Sequence, residues 1–586
     1  MLHTRKLWSL LTVLMVLAMV LSACAPAATP APTQPPAAQP TAAPQPTQAP
    51  AAQPTAAPQA TEAPKATEAP AVELMKKAAP DCNWGGTLKS IEATDPSTVV
   101  FTMCVPDPAF PSKAAFASLG IQSAKHLQDT GGKPLEDALG TGPYMVKEWV
   151  RGDHLTLEPN PNYWGDKPKT NTIVFKWNKE AAARLTSLQS GEADGIDNPD
   201  PNDYKTIEGD TTLKLYPREA LNVMYLGMNN TKPPFDNEMV RQAIAQGIDR
   251  QSIIDKYYPP GSSVADYFTP CAIPGGCEGD PWYKYDPKAA KDLLAKAGFP
   301  NGFKTTLSYR DVVRGYLPTP GKVAEEIQAQ LKKNLGIDVT IDVQESGTFL
   351  DNASKGNLAL HLLGWGADYP DQTDFLDYHF GKGASDQFGK KFDDLTAILA
   401  QAASLADPAE RNKLYAQANA LVKQHVPMVP VAHGGSADAF KATVEGAYSD
   451  PLSGEQFRLM SIPGQDQIVW IQNAEPISLY CSDETDGETL RACEQIFNSL
   501  LSYKPGGTSV EPGLAEKCEP NADLTVWTCN LRKDAKFSDG TPVTANDVVA
   551  TYAVQWDAAD PLHTGSTGNF DYWSAFFGGF LNPPKK

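Results

Sequence analysis

Val323-Ala324-Glu325-Glu326-Ile327-Gln328-Ala329-Gln330-Leu331-Lys332-Lys333-Asn334-Leu335-Gly336-Ile337-Asp338-Val339-Thr340-Ile341-Asp342-Val343 carries two periodicities in one run. The apolar residues of Val323–Leu335 fall at helical spacing, Gly336 closes the segment, and Ile337, Val339, Ile341 and Val343 then alternate as in a strand. Leu358, Leu360 and Leu362 repeat that alternation a few residues later. A helix feeding a strand through a single glycine is an αβ unit, not a solenoid or a helical bundle. Elsewhere, Asp286-Pro287 before Lys288–Ala297 and Gly298 predicts a helix with an Asp cap, proline in its first turn and a glycine stop. Asp407-Pro408 predicts a second such helix, running to about Val422. Helix and strand signals alternate along the chain, so the fold class is α/β with more than one lobe.

The N-terminus has Arg5 and Lys6, an apolar run from Leu7 to Leu21, and small residues before Cys24. This reads as an export signal over 1–23, too short to favour a retained span. Leu21-Ser22-Ala23-Cys24 resembles the bacterial lipobox, which makes Cys24 the acylated first residue of the mature chain. Residues 24–78 are expected to form a disordered, semi-rigid stalk. They are dominated by Ala, Pro, Thr and Gln, and Gln-Pro-Thr-Ala-Ala-Pro-Gln occurs at 39–45 and again at 53–59.

The body that follows is long enough for two cores. A net charge of −19 argues against a nucleic-acid partner. Its eight cysteines, an even count in an exported chain, are expected to form disulfides between sequence neighbours: Cys82–Cys104, Cys271–Cys277, Cys481–Cys493 and Cys518–Cys529. No metal site is expected, because no histidine stands near a cysteine pair at ligand spacing.

The predicted strand at Leu362 runs into Gly364-Trp365-Gly366-Ala367-Asp368-Tyr369-Pro370. In open α/β sheets ligands gather at the carboxyl ends of strands. Glycine lets a ligand approach the backbone, Trp365 offers a flat apolar wall and Asp368 a charge for a cation. The plainer reading is a turn with a core tryptophan and an Asp holding turn amides. Asp371, Asp374 and Asp377 are read as a helix start complementing the dipole, not as a catalytic pair. Asp194, Asp197, Asp200 and Asp203 are read as a solvated acidic loop, since the glycine and distal Glu of a calcium loop are out of place. His361 is read as a strand residue and His379 as a surface one. A secreted hydrolase with two carboxylates is the rival class, but neither Gly-x-Ser-x-Gly nor His-Glu-x-x-His is present.

At Gly364–Tyr369 the chain resembles the extracellular solute-binding proteins that serve ABC importers for dipeptides, oligopeptides and nickel. The same resemblance is carried by Gly140-Thr141-Gly142-Pro143-Tyr144, Asn160-Pro161-Asn162-Tyr163-Trp164, Tyr225–Asn229 with Val240–Ile244, and Phe537–Val549. It implies a two-lobed periplasmic-binding-protein-like fold of the class II type, with an extra small subdomain on lobe I. It implies a binder and not an enzyme, with no cofactor: a monomer that captures peptides and hands them to a membrane permease, anchored outside the cytoplasm by its lipid. Another solute, a sugar or metal chelate, is the alternative ligand. The family's pocket motif assigns Trp365, Gly366, Asp368 and Tyr369 to the ligand, with Asp368 on its free α-amino group.

The order of motifs departs from the family. Pro512–Glu516 and Leu531–Val549 resemble segments that stand near the family's N-terminus, yet here they end the chain. The expectation is a circular permutation, with the first part of lobe I at 79–225, lobe II at 226–440, and the remainder of lobe I with the permuted subdomain at 441–586. Exposed loops are where permutation is tolerated.

Overall fold

The computed structural model describes residues 73–583 apart from Val313. The signal segment, Cys24 and the stalk up to residue 72 lie outside the described residues. Within the stretch assigned to the stalk, Lys76–Ala78 is an edge strand, paired antiparallel with Ser90–Glu92.

Among the described residues the strands build a seven-stranded, a six-stranded and a five-stranded sheet, with one two-stranded ribbon. The six-stranded sheet is the centre of lobe II. It runs in space Ser263–Val264, Met428–His433, Asn222–Met228, Leu360–Gly366, Lys304–Arg310, Asp338–Gln344. Helix Pro320–Leu335 packs on it through Val323, Ala324, Ile327 and Leu331, all fully buried, and Gly336 ends it in the left-handed region at φ 71°. The strand that follows pairs parallel with Lys304–Arg310, so the run that opens the sequence reading is a helix and an edge strand on one core. Helix Pro287–Lys296 takes its cap from Asp286, which accepts from the amides of Lys288 and Ala289, and Asp407 does the same for Pro408–His425.

Lobe I is centred on the seven-stranded sheet. Its order is Tyr144–Val150, His154–Pro159, Thr172–Trp177, Gln467–Gln472, Gly195–Asp197, Ser436–Lys441, Leu213–Arg218. A subdomain carries the five-stranded sheet, and here segments near the start and the end of the described residues meet. Val526–Leu531 pairs antiparallel with Thr98–Met103, and helix Ala545–Trp556 lies over the same core, with Tyr552 edge-on to Phe101 at 5.1 Å. That helix starts on a capping box: Thr544 and Asp547 satisfy each other's amides, which gives Thr544-Ala545-Asn546-Asp547 its local meaning. All four expected cysteine pairs are joined, and Cys518 and Cys529 face each other across one antiparallel pair of strands.

The lobes are connected by two adjacent crossings. The chain leaves the seven-stranded sheet after Arg218 and enters the six-stranded one at Asn222, then returns between His433 and Ser436. The crossings are tied together: Asn222 exchanges two hydrogen bonds of 2.8 Å with the Gly434 backbone, and His433 Nδ1 donates to the Asn222 carbonyl at 2.6 Å. A Cβ on Gly434 would lie 2.0 Å from the Gly315 carbonyl oxygen, so only glycine fits this approach.

Beside the crossings lies a buried ion cluster. Arg218 bonds Asp438 at 2.8 Å, Glu455 at 2.9 Å and Asp197 at 3.2 Å, and Arg491 reaches Glu455 at 2.7 Å and Asp197 at 3.2 Å. The acidic stretch at 194–203 is therefore not a solvated loop throughout. Asp197 is buried because its strand, Gly195–Asp197, runs inside the sheet, and Asp194, just before it, is buried with it; Asp194 pairs with Lys441 at 2.7 Å and accepts from the Val469 amide. Breaking one member of such a cluster strands buried charge, which typically costs about 3–5 kcal/mol. Arg218→Met should thus lower the stability of lobe I by about that amount, measured by urea unfolding against the wild type.

Candidate functional site

Strand Leu360–Gly366 ends in the motif. Gly364 is enforced by packing, since a Cβ there would meet Tyr316 Cδ2 at 2.2 Å and the Val223 carbonyl oxygen at 2.6 Å. Gly366 is the opposite case: it is exposed, and a Cβ would meet nothing within 4 Å. Trp365 stacks on the exposed Tyr378 ring at 4.3 Å, so the pair forms a flat aromatic wall beside that open space.

The next turn is held rigidly. Asp374 accepts from the Asp368 amide at 2.9 Å and from Trp365 Nε1 at 3.3 Å. Asp371 makes a two-pronged pair with Arg411 at 2.6 and 2.8 Å and also accepts from Thr373. Burial pushes the Asp371 carboxyl up, but Arg411 outweighs it and holds the group below the ordinary range. The helix start expected here is a single π-helical turn, Thr373–Asp377. Its acids are not dipole partners in water. Asp374 is buried, and burial followed by the charge of Asp368 raises its carboxyl well above the ordinary value; Asp377, raised to about 7 by burial, accepts from Tyr415 at 2.9 Å.

Asp368 differs from these neighbours. Its side chain keeps partial access to solvent, yet protein surrounds it so closely that loss of hydration pushes its carboxyl up to about 7. No Lys or Arg pairs with it among the described residues. Its charge also acts on Tyr572 of the lobe I subdomain, whose hydroxyl is raised first by burial and then by the charges of Asp368, Asp374, Asp486 and Asp571. Tyr572 in turn packs on Phe116 at 4.8 Å. A poorly hydrated carboxyl without a paired cation is the kind of group that a positively charged partner would stabilise in its ionised form.

A family profile described as "Bacterial extracellular solute-binding proteins, family 5 Middle" matches residues 63–387 and 509–572, which is more than half of the chain. The chain belongs to this family. Among curated relatives it is 31% identical to heme-binding protein A of Haemophilus influenzae over 386 residues, covering 64% of this chain and 70% of the relative. It is 30% identical to the dipeptide-binding protein of Escherichia coli over 387 residues, covering 64% and 72%. Among solved structures it superposes on HbpA2 from Haemophilus parasuis with a TM-score of 0.60, 31% identity and coverage of 64% and 76%. It superposes on DppA from Helicobacter pylori in complex with the peptide STSA with a TM-score of 0.52, 29% identity and coverage of 64% and 74%. These relatives fix the fold as the two-lobed binding-protein architecture.

Against that family background, the four motif residues take different places. Gly366 is exposed, and Trp365 and Asp368 are partly buried. Tyr369 is buried, and its ring sits in the core of the lobe I subdomain. The residues missed by sequence reading are Phe116, Tyr572 and Phe576, which stand far from the motif in the chain and carry only generic apolar or aromatic signals. A cavity of about 120 Å³ bounded by Tyr163, Trp164, Arg458, Glu494, Asn498 and Tyr503 lies inside lobe I. It is too small for a peptide, and no residue of 364–369 reaches it.

The two histidines flanking the motif are both interior. His361 is fully buried in its strand, as expected, but His379 is buried too, at 2% exposure, against Trp365 and Phe268 and not on the surface. The turn after Pro370 folds inward, which carries His379 under the aromatic wall. Burial lowers both imidazoles to about 4. A group with a depressed folded-state pKa takes up protons more readily when unfolded, so its contribution is complete above about pH 6.5 and is lost as pH falls through about 4. His361→Leu should therefore gain on the wild type by about 3 kcal/mol between pH 7 and pH 4, read from urea unfolding at each pH; an unchanging difference would contradict this assignment.

Proposed function

We propose that this chain is the ligand-capturing component of an ABC importer, taking peptides between two lobes and presenting them to a membrane permease. Lobe II then comprises roughly residues 222–433, hinged on the paired crossings, with the rest of the body as lobe I. What supports the reading is Asp368 at the end of strand Leu360–Gly366, next to exposed Gly366 and the Trp365–Tyr378 stack: a poorly hydrated carboxyl with no salt-bridge partner among the described residues. A peptide's terminal ammonium supplies the missing charge, and at about 4 Å the attraction is about 4 kcal/mol at an effective dielectric of 20, before desolvation is subtracted. Its backbone lies along the open edge at Gly366, with side chains against Trp365 and Tyr378. Relatives named as dipeptide-binding, and a solved relative in complex with the peptide STSA, support this ligand class. Attachment through lipidated Cys24, with the Pro-rich segment as spacer, completes the proposal and places the protein outside the cytoplasm as a monomer.

The metal-chelate alternative loses its ligands, because His361 and His379 face the lobe II core and not the gap. The test is calorimetry of the full body with a short peptide and its N-acetylated twin. Binding of the free-amine form alone supports the reading, and equal binding of both, or of neither, overturns it.

A further inference from the structure

Tyr369 stands one residue after the proposed ammonium anchor, on a turn that belongs to lobe II, yet only 6% of its surface is exposed and its ring is part of the lobe I core. Phe576 packs edge-on against it at 5.3 Å. Lys113 Nζ lies over the ring at 5.4 Å, and that ammonium is itself buried and paired with Asp107 at 2.9 Å. The hydroxyl does not cross to lobe I; it bonds Thr373 Oγ1 at 3.1 Å, within its own turn. Thr373 is bonded to Asp371, which is forked onto Arg411. One face of the turn is thus fixed to the lobe II scaffold, while the tyrosine ring is seated in a socket of Lys113, Phe576 and their neighbours on lobe I.

We propose that Tyr369 is a positioning residue for ligand capture: an interlobe plug whose seating in lobe I places Asp368 against the opposite wall and stabilises the closed arrangement. The inference rests on capture between two lobes, not on the ligand being a peptide. Its logic is population shift. A contact made only when the lobes meet raises the closed fraction, and the apparent affinity of a ligand that needs the closed state rises in proportion. The ring carries this effect through apolar area and the ammonium above its face. The hydroxyl serves only the local turn, so the two parts of the side chain are separable by mutation. Lobe II has its own buried core without this ring, so removing the ring leaves that core filled.

Tyr369→Ala and Tyr369→Phe are compared with the wild type in the full body, by small-angle scattering without ligand and by calorimetry with the short free-amine peptide. Tyr369→Ala is expected to show a larger radius of gyration than the wild type when free, to contract on adding ligand, and to bind about tenfold or more weakly. Tyr369→Phe should restore both properties to within about threefold, since it keeps the ring. Unchanged scattering and affinity in Tyr369→Ala, or failure of Tyr369→Phe to restore them, would overturn the proposal. If Tyr369→Ala does not fold, hydrogen exchange of the wild type decides: ligand must raise protection of 367–374 and of 571–577 together, and protection of one without the other refutes the plug. A wild type that binds no peptide, alongside an expanded Tyr369→Ala, would sink the peptide reading and leave the plug standing.

Discussion

Replacing Asp368 with Asn should reduce affinity for peptides with a free terminal amine by a factor on the order of 100 or more, while leaving any binding of N-acetylated peptides nearly unchanged. Removing one partner of a desolvated charge pair typically costs about 2–5 kcal/mol, and each 1.4 kcal/mol is tenfold. The pH dependence makes the assignment specific. With its carboxyl raised to about 7 in the free protein, Asp368 must lose a proton before it can pair with an ammonium. Affinity should therefore fall by up to tenfold per pH unit below 7. A peptide's α-amino group titrates near 7.7–8.0 and imposes the opposite limb above that range. The wild type is thus expected to bind best between about pH 7 and pH 8, and Asp368→Asn should lose the acid limb.

The same carboxyl has a measurable consequence for the free protein. Its folded-state pKa is raised, so the folded chain holds this proton more tightly than the unfolded chain does. The stability it contributes is present below about pH 4 and is lost as pH rises through about 7. Asp368→Asn should therefore be more stable than the wild type at pH 8 and indistinguishable from it near pH 4, by thermal unfolding. A variant that binds worse yet melts higher would mark the charge as held for the ligand and not for the fold. A drop in melting temperature at pH 8 would say that Asp368 is a structural turn residue and that the ammonium site is elsewhere.

Deleting residues 466–586 should abolish folding of lobe I altogether. Strand Gln467–Gln472 is interior to the seven-stranded sheet, paired parallel with Thr172–Trp177 on one side and Gly195–Asp197 on the other. Its removal would open a gap in the middle of a ladder and expose the cores under Trp470. The five-stranded sheet would lose Val526–Leu531 and Ala515–Pro520, and Phe101 would lose Tyr552. The fragment ending at 465 is expected to be insoluble or to lack a cooperative transition. None of the four disulfides joins the two pieces, so mixing separately produced 1–465 and 466–586 tests non-covalent complementation directly. Recovery of a cooperative transition on mixing is the expected result. A folded, ligand-binding 1–465 fragment would mean that the C-terminal stretch is an appendage and that circular permutation is the wrong account of its motif order.

How much of this was legible in the chain depends on the range of the interaction. Helix Pro320–Leu335, its glycine stop and the strand after it follow from periodicity and one left-handed residue, all within a window of about 20 residues. The caps at Asp286, Asp407 and Thr544 are equally local. The cysteine pairs join sequence neighbours, so spacing anticipates them. The motif at 364–369 is contiguous, which is why a resemblance carried by six residues points to one end of one strand.

What the tertiary structure alone decided is what each of those side chains faces. Asp197 ends a three-residue strand that Asp194 immediately precedes; its partners come from 436–441 and 467–472, and no local pattern says that it runs inside a sheet. His379 is drawn inward because the turn after Pro370 folds under Trp365. Tyr369 and Asp368 are neighbours in sequence with opposite fates, one ring packed into the core of the lobe I subdomain and one carboxyl only partly buried. Local propensity acts over a few residues, so it determined the elements and the motif. Burial and electrostatic environment are sums over everything nearby in space, so the partners of Asp368 and Tyr369, some 200 residues away in the chain, were set only when the two lobes met.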